Sequence, residues 1–428
     1  MIAPFVQHPA LLNLAQLKAF ALVVETGSAS QAAAMLFRAQ SAVARSIQEI
    51  EHFLNETLFE RRTSGMLPTP AARAVYERGR RSLSDLEKLA CWCDSQHASG
   101  RDAQHERAAG ERASRLVSTT TIPAYLLNSR RLHILATLVK HRHMVSTATA
   151  LGVSQPAISS AIRILEDGAG FALFARNPGG LKLTDRGEQF VLKVRQVLND
   201  LAHIPDDIAA LKGIVRGRVS IGALPLARPH ILPEAVARLR AVFPGIRIAT
   251  DDSPYEMLVT GLRAGDLDFI LGALRKSAPG SGLITEKLMS EKMGILVRNG
   301  HPLTQAGQLS LPQLMASEWI LPRSHAPARA LLDAMFERMH LATPIPAVET
   351  ADLALVRGLL LRTDMIAVLS AQQLQYECDL GHLTVLNVPM PDTERDIGFM
   401  FRENAHPSAA AHRVIDIVRQ VVSDLVCS

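Results

Sequence analysis

The chain has 428 residues, room for about three domains of ordinary size. With 48% hydrophobic and 20% charged residues it is globular rather than disordered or fibrous, and with aromatics at only 4% it is poorly equipped to stack single-stranded bases, so a nucleic-acid partner would be duplex. The net charge of +5 is uneven: residues 1–217 hold 26 Lys+Arg against 19 Asp+Glu and the remainder 20 against 22, which points to a basic binding half and a near-neutral half.

In chain order the first feature is a repeat. At an offset of 115 residues, Leu17 matches Leu132, Ala33 Ala148, Gln40 Gln155, Ile47 Ile162, Glu51 Glu166, Leu58-Phe59 Leu173-Phe174, Gly65 Gly180 and Thr69 Thr184, all in one ungapped register. Copy one spans 13–93, with Val43, Ile47 and Ile50 as its buried stripe and Ser64-Gly65 in a turn. Gln40, Ser41 and Arg45 lie on its polar face. Residues 94–115 contain no Leu, Ile, Val or Phe, and the stretch 94–127 is expected to be a flexible tether in which His97 and His105 have no role.

Copy two spans 128–187. Leu132, Leu135, Leu138 and Val139 recur at helical spacing, a short helix follows over Ala148–Leu151, and Gly152 breaks it. Ser154-Gln155-Pro156 then reads as a helix start, Ser as the cap and Pro in the first turn. The new helix buries Ile158, Ile162 and Leu165 and turns Gln155, Ser159, Ser160 and Arg163 outward. Leu173-Phe174, the turn Asn177-Pro178-Gly179-Gly180 and Leu181–Thr184 complete a hairpin wing. Both copies therefore read as winged helix-turn-helix units.

A helix in the major groove uses Gln for adenine, Arg for guanine and Ser for bases or phosphates. On that basis Ser154, Gln155, Pro156, Ser159, Ser160 and Arg163 are the candidate contacts, with Arg176 and Lys182 on the wing nearer phosphates and Gln40, Ser41 and Arg45 in copy one. Copy one replaces Ser-Gln-Pro by Ala39-Gln40-Ser41, so its capping hydroxyl moves or is lost. It is either a second reader or a decayed duplicate kept for packing or dimerisation.

Downstream, Phe190, Val194, Val197, Leu201, Ile204, Ile208 and Leu211 alternate spacings of four and three, the seam of a coiled coil, with Pro205 expected to kink it. The helix over 188–213 is expected to pair with a second chain, the alternative being a long helix packed on its own domain. From 216 on, short apolar runs alternate with helical stretches: strands at 218–222, 246–249, 267–271, 294–297, 319–321, 365–369 and 397–401, helices at 233–242 and 254–262. That is an α/β pattern expected to build parallel sheets. Ligands in such folds bind beyond strand carboxyl ends, where helix N-termini present free amides. Ala223, Leu224, Pro225, Ser253, Pro254, Arg323, Ser324 and Thr350 are the candidates, and Arg323 suits an anionic effector.

The run Val153-Ser154-Gln155-Pro156-Ala157-Ile158-Ser159, with Ala148, Ala150-Leu151, Ile162, Leu165-Glu166, Leu173-Phe174, Arg176, Leu183-Thr184 and Gly187, resembles the LysR-type transcriptional regulators. The resemblance covers 128–428, and copy one separately resembles the same DNA-binding unit. It implies α/β overall: two mainly α winged helix-turn-helix domains, a linker helix that dimerises, and a two-lobed effector domain of periplasmic-binding-protein type over 216–428, lobe one 216–294 and 393–428, lobe two 295–392. The implied partners are promoter DNA, a small effector, a homodimer or homotetramer, and RNA polymerase for an activator. The strand end Ile221–Pro225 is similar to members governing sugar uptake or aromatic-acid breakdown, without choosing between them.

No nucleophile elbow, zinc-protease, phosphate-loop or dinucleotide motif is present, so neither an enzyme nor a cofactor is expected. Cys91, Cys93, Cys378 and Cys427 form neither a disulfide scaffold nor a metal site, and His141 and His143 are expected to be exposed. Pro4, His8, Pro9 and Asn13 interrupt the apolar start and no stretch is apolar enough to cross a bilayer, so the expectation is a cytoplasmic protein without membrane contact. The rival reading is a cytoplasmic solute-binding protein without DNA-binding activity.

Overall fold

The computed structural model describes residues 12–62, 65–98, 122–175, 181–275 and 280–427. It forms two units, Met1–Gly217 with Arg263–Asp266, and Arg218–Leu262 with Leu267–Ser428. In the first, α1 (Leu14–Thr26), α2 (Ala29–Met35), α3 (Gln40–Leu54), β1 (Phe59–Arg62), β2 (Gly65–Pro68) and α4 (Pro70–Ala98) make copy one. Copy two repeats the order as α5 (Ser129–His141), α6 (Met144–Leu151), α7 (Gln155–Ala169), β3 (Phe174–Ala175), β4 (Lys182–Leu183) and α8 (Asp185–Ala202), followed by α9 (Ile204–Leu211). Both strand pairs are antiparallel wings.

The repeat extends to individual hydrogen bonds. Glu51 Oε1 accepts from the amides of Leu58 at 2.7 Å and Phe59 at 3.4 Å, and Glu166 Oε1 from Leu173 at 2.8 Å and Phe174 at 3.3 Å. Thr69 Oγ1 donates to Thr57 O at 2.9 Å and Thr184 Oγ1 to Ala172 O at 2.8 Å, each closing the wing onto the helix it starts. Asn13 and Asn128 cap α1 and α5 with their side chains. The glutamate and asparagine bonds satisfy amides, and the threonine bonds carbonyls, that a helix start or loop leaves open.

The two copies share one hydrophobic core. The seam residues Phe190, Val194, Val197, Leu201, Ile204 and Ile208 are buried, and Leu211 is exposed. Their cover is α4 of the same chain, where the sequence pattern anticipated a second chain. Periodicity identifies an apolar stripe but not the helix that covers it. Pro205 sits in the first turn of α9 and the helix breaks at His203, as a residue without a backbone donor requires. The tether expected over 94–127 is helical as far as Ala98, and Ile122 and Leu126 at its far end are buried. His105 lies outside the described residues.

The second unit holds two five-stranded sheets. The first, in the order β6-β5-β7-β14-β8, contains β5 (Gly217–Ala223), β6 (Ile246–Asp251), β7 (Phe269–Ala273), β8 (Leu283–Glu291) and β14 (Arg395–Arg402). The second, β11-β10-β12-β9-β13, contains β9 (Met293–Arg298), β10 (Trp319–Leu321), β11 (Pro346–Glu349), β12 (Ile366–Ser370) and β13 (Leu383–Val385). Helices α10 (Ile231–Val242), α11 (Tyr255–Ala264), α12 (Leu311–Leu314), α13 (Pro327–Arg338), α14 (Leu353–Leu360), α15 (Gln375–Asp379) and α16 (Ala409–Cys427) connect and cover them.

The expected all-parallel sheets are mixed instead. β5 runs parallel to β7, but β14 is antiparallel to β7 and β8, and β9 is antiparallel to β12 and β13. A strand that returns after a visit to the other sheet is under no crossover rule that would make it parallel. The chain leaves the first sheet after Glu291 and returns at Arg395, and these two residues are paired in register.

Candidate functional site

The recognition helix of copy two, α7, packs Ile158, Ala161, Ile162, Leu165 and Ala169 inward. Ser154, Gln155, Pro156, Ser159, Ser160 and Arg163 are all exposed. Ser154 occupies the cap position without a side-chain capping bond, which corrects its expected role and leaves its hydroxyl available. Gly152 ends α6 at φ 59°, a left-handed conformation that glycine adopts without steric cost. Arg163 extends into solvent, 3.7 Å from Asp167, an ion pair too exposed to hold the guanidinium away from a phosphate or base. Lys182 is exposed on the wing, and Arg176 lies outside the described residues.

In copy one, Gln40, Ser41 and Arg45 are exposed on α3 above buried Val43, Ile47 and Ile50. The cap position is Ala39, without a side-chain bond, so the capping hydroxyl is lost rather than moved. Arg45 bonds Glu49 at 2.8 Å, and Gln16 donates to the same carboxylate. A residue that sequence patterning missed is Phe37, which stands where copy two has Gly152, at φ 54° and 97% exposed. Only the register of the repeat, which puts Phe opposite a turn glycine, signals it.

The effector candidates divide between the sheets. Ala223 ends β5 and Leu224-Pro225 follow it, Ser253-Pro254 follow its neighbour β6, while Arg323-Ser324 follow β10 and Thr350 follows its neighbour β11. The free amides expected there are already engaged. Leu224 N donates to Leu271 O at 2.9 Å, Ser253 N to Asp251 Oδ1 at 2.9 Å, Thr350 N to Leu321 O at 3.0 Å, and Ser324 N to the Glu349 carboxylate. Leu224 is itself buried, Pro225 and Pro254 are exposed, and Asp352 rather than Thr350 caps α14. Arg323 is exposed with no ion pair among the described residues.

Beside Ala223 opens a cavity of about 480 Å³, lined also by Arg228, Leu232, Thr250 and Asp252. Arg228 donates from Nε to Ala223 O at 2.6 Å and from a terminal nitrogen to Asp252 O at 3.0 Å, bracing the ends of β5 and β6. Its partners are carbonyls, which sequence reasoning cannot see. Among the described residues no cluster of His, Cys, Asp and Glu forms a metal site, and no helix is long and apolar enough to cross a membrane.

Comparison with known proteins accords with this geometry. The model of the bacterial regulatory helix-turn-helix protein, lysR family, matches twice, at 14–73 and 129–188, and that of the LysR substrate binding domain matches 212–423. The HTH-type transcriptional regulator GalR of Pseudomonas putida is 41% identical over 414 residues, 97% of this chain and 98% of its own, a span that includes both copies. PcaQ of Agrobacterium fabrum is 28% identical over 302 residues, 69% of this chain and 95% of its own. Full-length OxyR from Pseudomonas aeruginosa shares the fold, with a TM-score of 0.53 at 22% identity over 69% of this chain and 94% of that one. The two helix-turn-helix matches set aside a solute-binding protein without DNA-binding activity. The chain belongs to the LysR family and is a DNA-binding transcriptional regulator with an effector-binding domain.

Proposed function

We propose that α7 enters the major groove of promoter DNA, with Gln155, Ser159 and Arg163 at base edges, Ser154 and Ser160 at the groove wall, and Lys182 and Arg176 on the wing at phosphates. The observation that carries this reading is the division of α7 into a fully buried apolar stripe and an exposed polar face. A helix so divided is held firmly by its scaffold while its outer side chains remain free to make bidentate bonds to bases. The effector domain takes a small anion at the strand ends, where the exposed Arg323 guanidinium supplies the charge and Thr350 and Ser253 the hydroxyls. Binding then shifts the equilibrium between arrangements that differ in DNA affinity. Such a regulator works in the cytoplasm, as a homo-oligomer and without catalysis, and meets RNA polymerase where it activates.

Gel-shift titration against salt tests the DNA reading. The full chain is expected to bind a selected duplex with affinity that falls steeply with salt, as counterion release demands. Gln155→Ala is expected to cost about 1–3 kcal/mol, roughly fivefold to 150-fold in affinity, and to relax the preference at one base pair. Equal affinity and equal footprint for Gln155→Ala and the parent would reject α7 as the reader.

A further inference from the structure

The helix expected to seek a second chain is already satisfied inside this one. At the offset of 115, the seam residues Phe190, Val194, Val197, Leu201, Ile204 and Ile208 correspond to Val75, Gly79, Ser82, Leu86, Leu89 and Cys93 of α4. Val75, Ser82, Leu86, Leu89 and Cys93 are buried. The two stripes are thus the same surface, used twice and packed together.

The helices run antiparallel. Near the start of α4, Arg78 pairs with Asp207 of α9, Nε to Oδ2 at 2.5 Å, and near its end Trp92 packs edge-on against Phe171, which in turn meets Phe190 at the start of α8. Arg78 is itself buried. At the entry to both copies Ser129 Oγ accepts from Leu14 N at 3.0 Å and donates to Leu12 O at 2.7 Å, a buried staple between α1 and α5. Two equivalent stripes packed antiparallel make the two-fold arrangement of a dimer, built here from one chain.

We infer that a single chain carries a complete two-reader DNA head, closed in cis through α4 and α8–α9, and that its target is a duplex with two unlike half-sites. This rests on the reading of α7 above and extends it to α3. Covalent linkage makes the pairing unimolecular, with an effective concentration on the order of millimolar, well above that of free chains. The contacts at the two ends of the interface also differ. The positions equivalent to Arg78 and Asp207 are Lys193 and Trp92, so two copy-two units from different chains would keep a Lys193–Asp207 pair at each end but would also set Phe171 against Asp207 there. The mixed pair puts the Trp92 ring there instead, 5.6 Å between centroids from Phe171, and keeps a partly buried ion pair through Arg78.

The half-sites are unlike because the outer faces are. Gln40 and Gln155 are equivalent, which keeps one base preference in common. Ala44 stands for Ser159, Arg45 for Ser160 and Gln48 for Arg163, and each exchange changes which base edge is met.

The test uses the full chain and duplexes recovered from random DNA. Arg78→Asp and Asp207→Arg are each expected to weaken duplex binding tenfold or more, and the double reversal in one chain to restore it to within threefold. Co-expressed as separate chains, the two single variants are expected to stay weak, because in cis every chain then holds a like-charge pair. Recovery of parental affinity in the mixture overturns the inference, since only pairing between chains rebuilds both bridges, and single reversals without effect count equally against the interface. The recovered duplex gives the second arm: Gln40→Ala is expected to relax one half and Gln155→Ala the other. An inverted repeat in which both halves respond to Gln155→Ala and neither to Gln40→Ala overturns the inference while leaving α7 as the reader. Absence of duplex binding at any salt removes the α7 reading itself.

Discussion

In both helix-turn-helix copies a glutamate of the recognition helix receives the two amides that open the wing, and a threonine ties the wing back to the helix that follows. The outer faces of the same helices have parted. Copy two offers Gln155, Ser159 and an extended Arg163, while copy one offers Gln40 and an Arg45 drawn onto Glu49. Polar bonds that hold backbone in place tolerate little change, because a buried amide left unpaired costs the full desolvation of that group. Side chains that face solvent carry no such penalty and are free to diverge toward different targets. The scaffold of this repeat is therefore a record of folding and its surface a record of recognition.

The largest expected effect breaks the copies' apparent independence. Leu86 of α4 and its equivalent Leu201 of α8 lie in one core that runs through both helix-turn-helix copies. Leu86→Ala is expected to cost about 2–5 kcal/mol, the range for a buried leucine whose cavity cannot fully close. Because the core is shared, urea denaturation should keep a single transition for the reader unit, and hydrogen exchange should show lost protection in α5 and α7, far along the chain from the substitution. Two transitions, with copy two unaffected, would separate the copies into independent domains.

How much of this is legible without coordinates follows from what each feature needs. Helix α7 needs only local periodicity and a start signal, so its buried stripe and exposed face are readable from Ile158, Ile162 and Leu165 alone. The seam on α8 is readable for the same reason, but its partner is not, because the matching stripe on α4 is disguised by Gly79, Ser82 and Cys93. Strands β8, β11 and β13 escape notice: β8 is broken by Thr285, Glu286 and Lys287, and β13 has only three residues. The strand ends of the effector domain are legible as places, but the partners of their amides are set by tertiary contacts that leave no mark on the sequence.

The effector domain differs from the reader unit in holding a buried carboxyl beside a half-buried guanidinium at the crossing between its sheets. Glu291 and Arg395 face each other across β8 and β14, and among the described residues neither Glu291 oxygen nor Arg395 Nε has a hydrogen-bond partner. Burial pushes the Glu291 carboxyl up to about 7 against the pull of Arg395, and lowers the guanidinium below its usual range. The folded state thus holds a proton that the unfolded chain releases near 4.5, so this group's contribution is fully present below about 4.5 and is lost as pH rises through about 7. Over that window the effector domain is expected to lose on the order of 2–3 kcal/mol from this group. Denaturant melts of the parent and Glu291→Gln at a series of pH values check it: the variant should lack the slope, and parallel curves would show that Glu291 titrates normally.

The smallest effect sharpens the contrast between the two turns. Phe37 holds φ 54° where Gly152 holds φ 59°, and its ring is 97% exposed, so the side chain gains nothing from burial to offset a left-handed backbone. A residue with a Cβ pays roughly 1–2 kcal/mol in that region, part of which glycine returns through its freer unfolded chain. Phe37→Gly is therefore expected to stabilise the reader unit by about 1 kcal/mol in a urea melt. Strain kept at an exposed apolar residue beside a recognition helix points to a surface contact, and the same variant is expected to bind its duplex severalfold more weakly, with the loss confined to the half-site that responds to Gln40→Ala. A variant that is both more stable and an undiminished binder would make Phe37 an accident of the duplication, and would leave copy one's reading surface to the outer face of α3, Gln40 and Arg45 included.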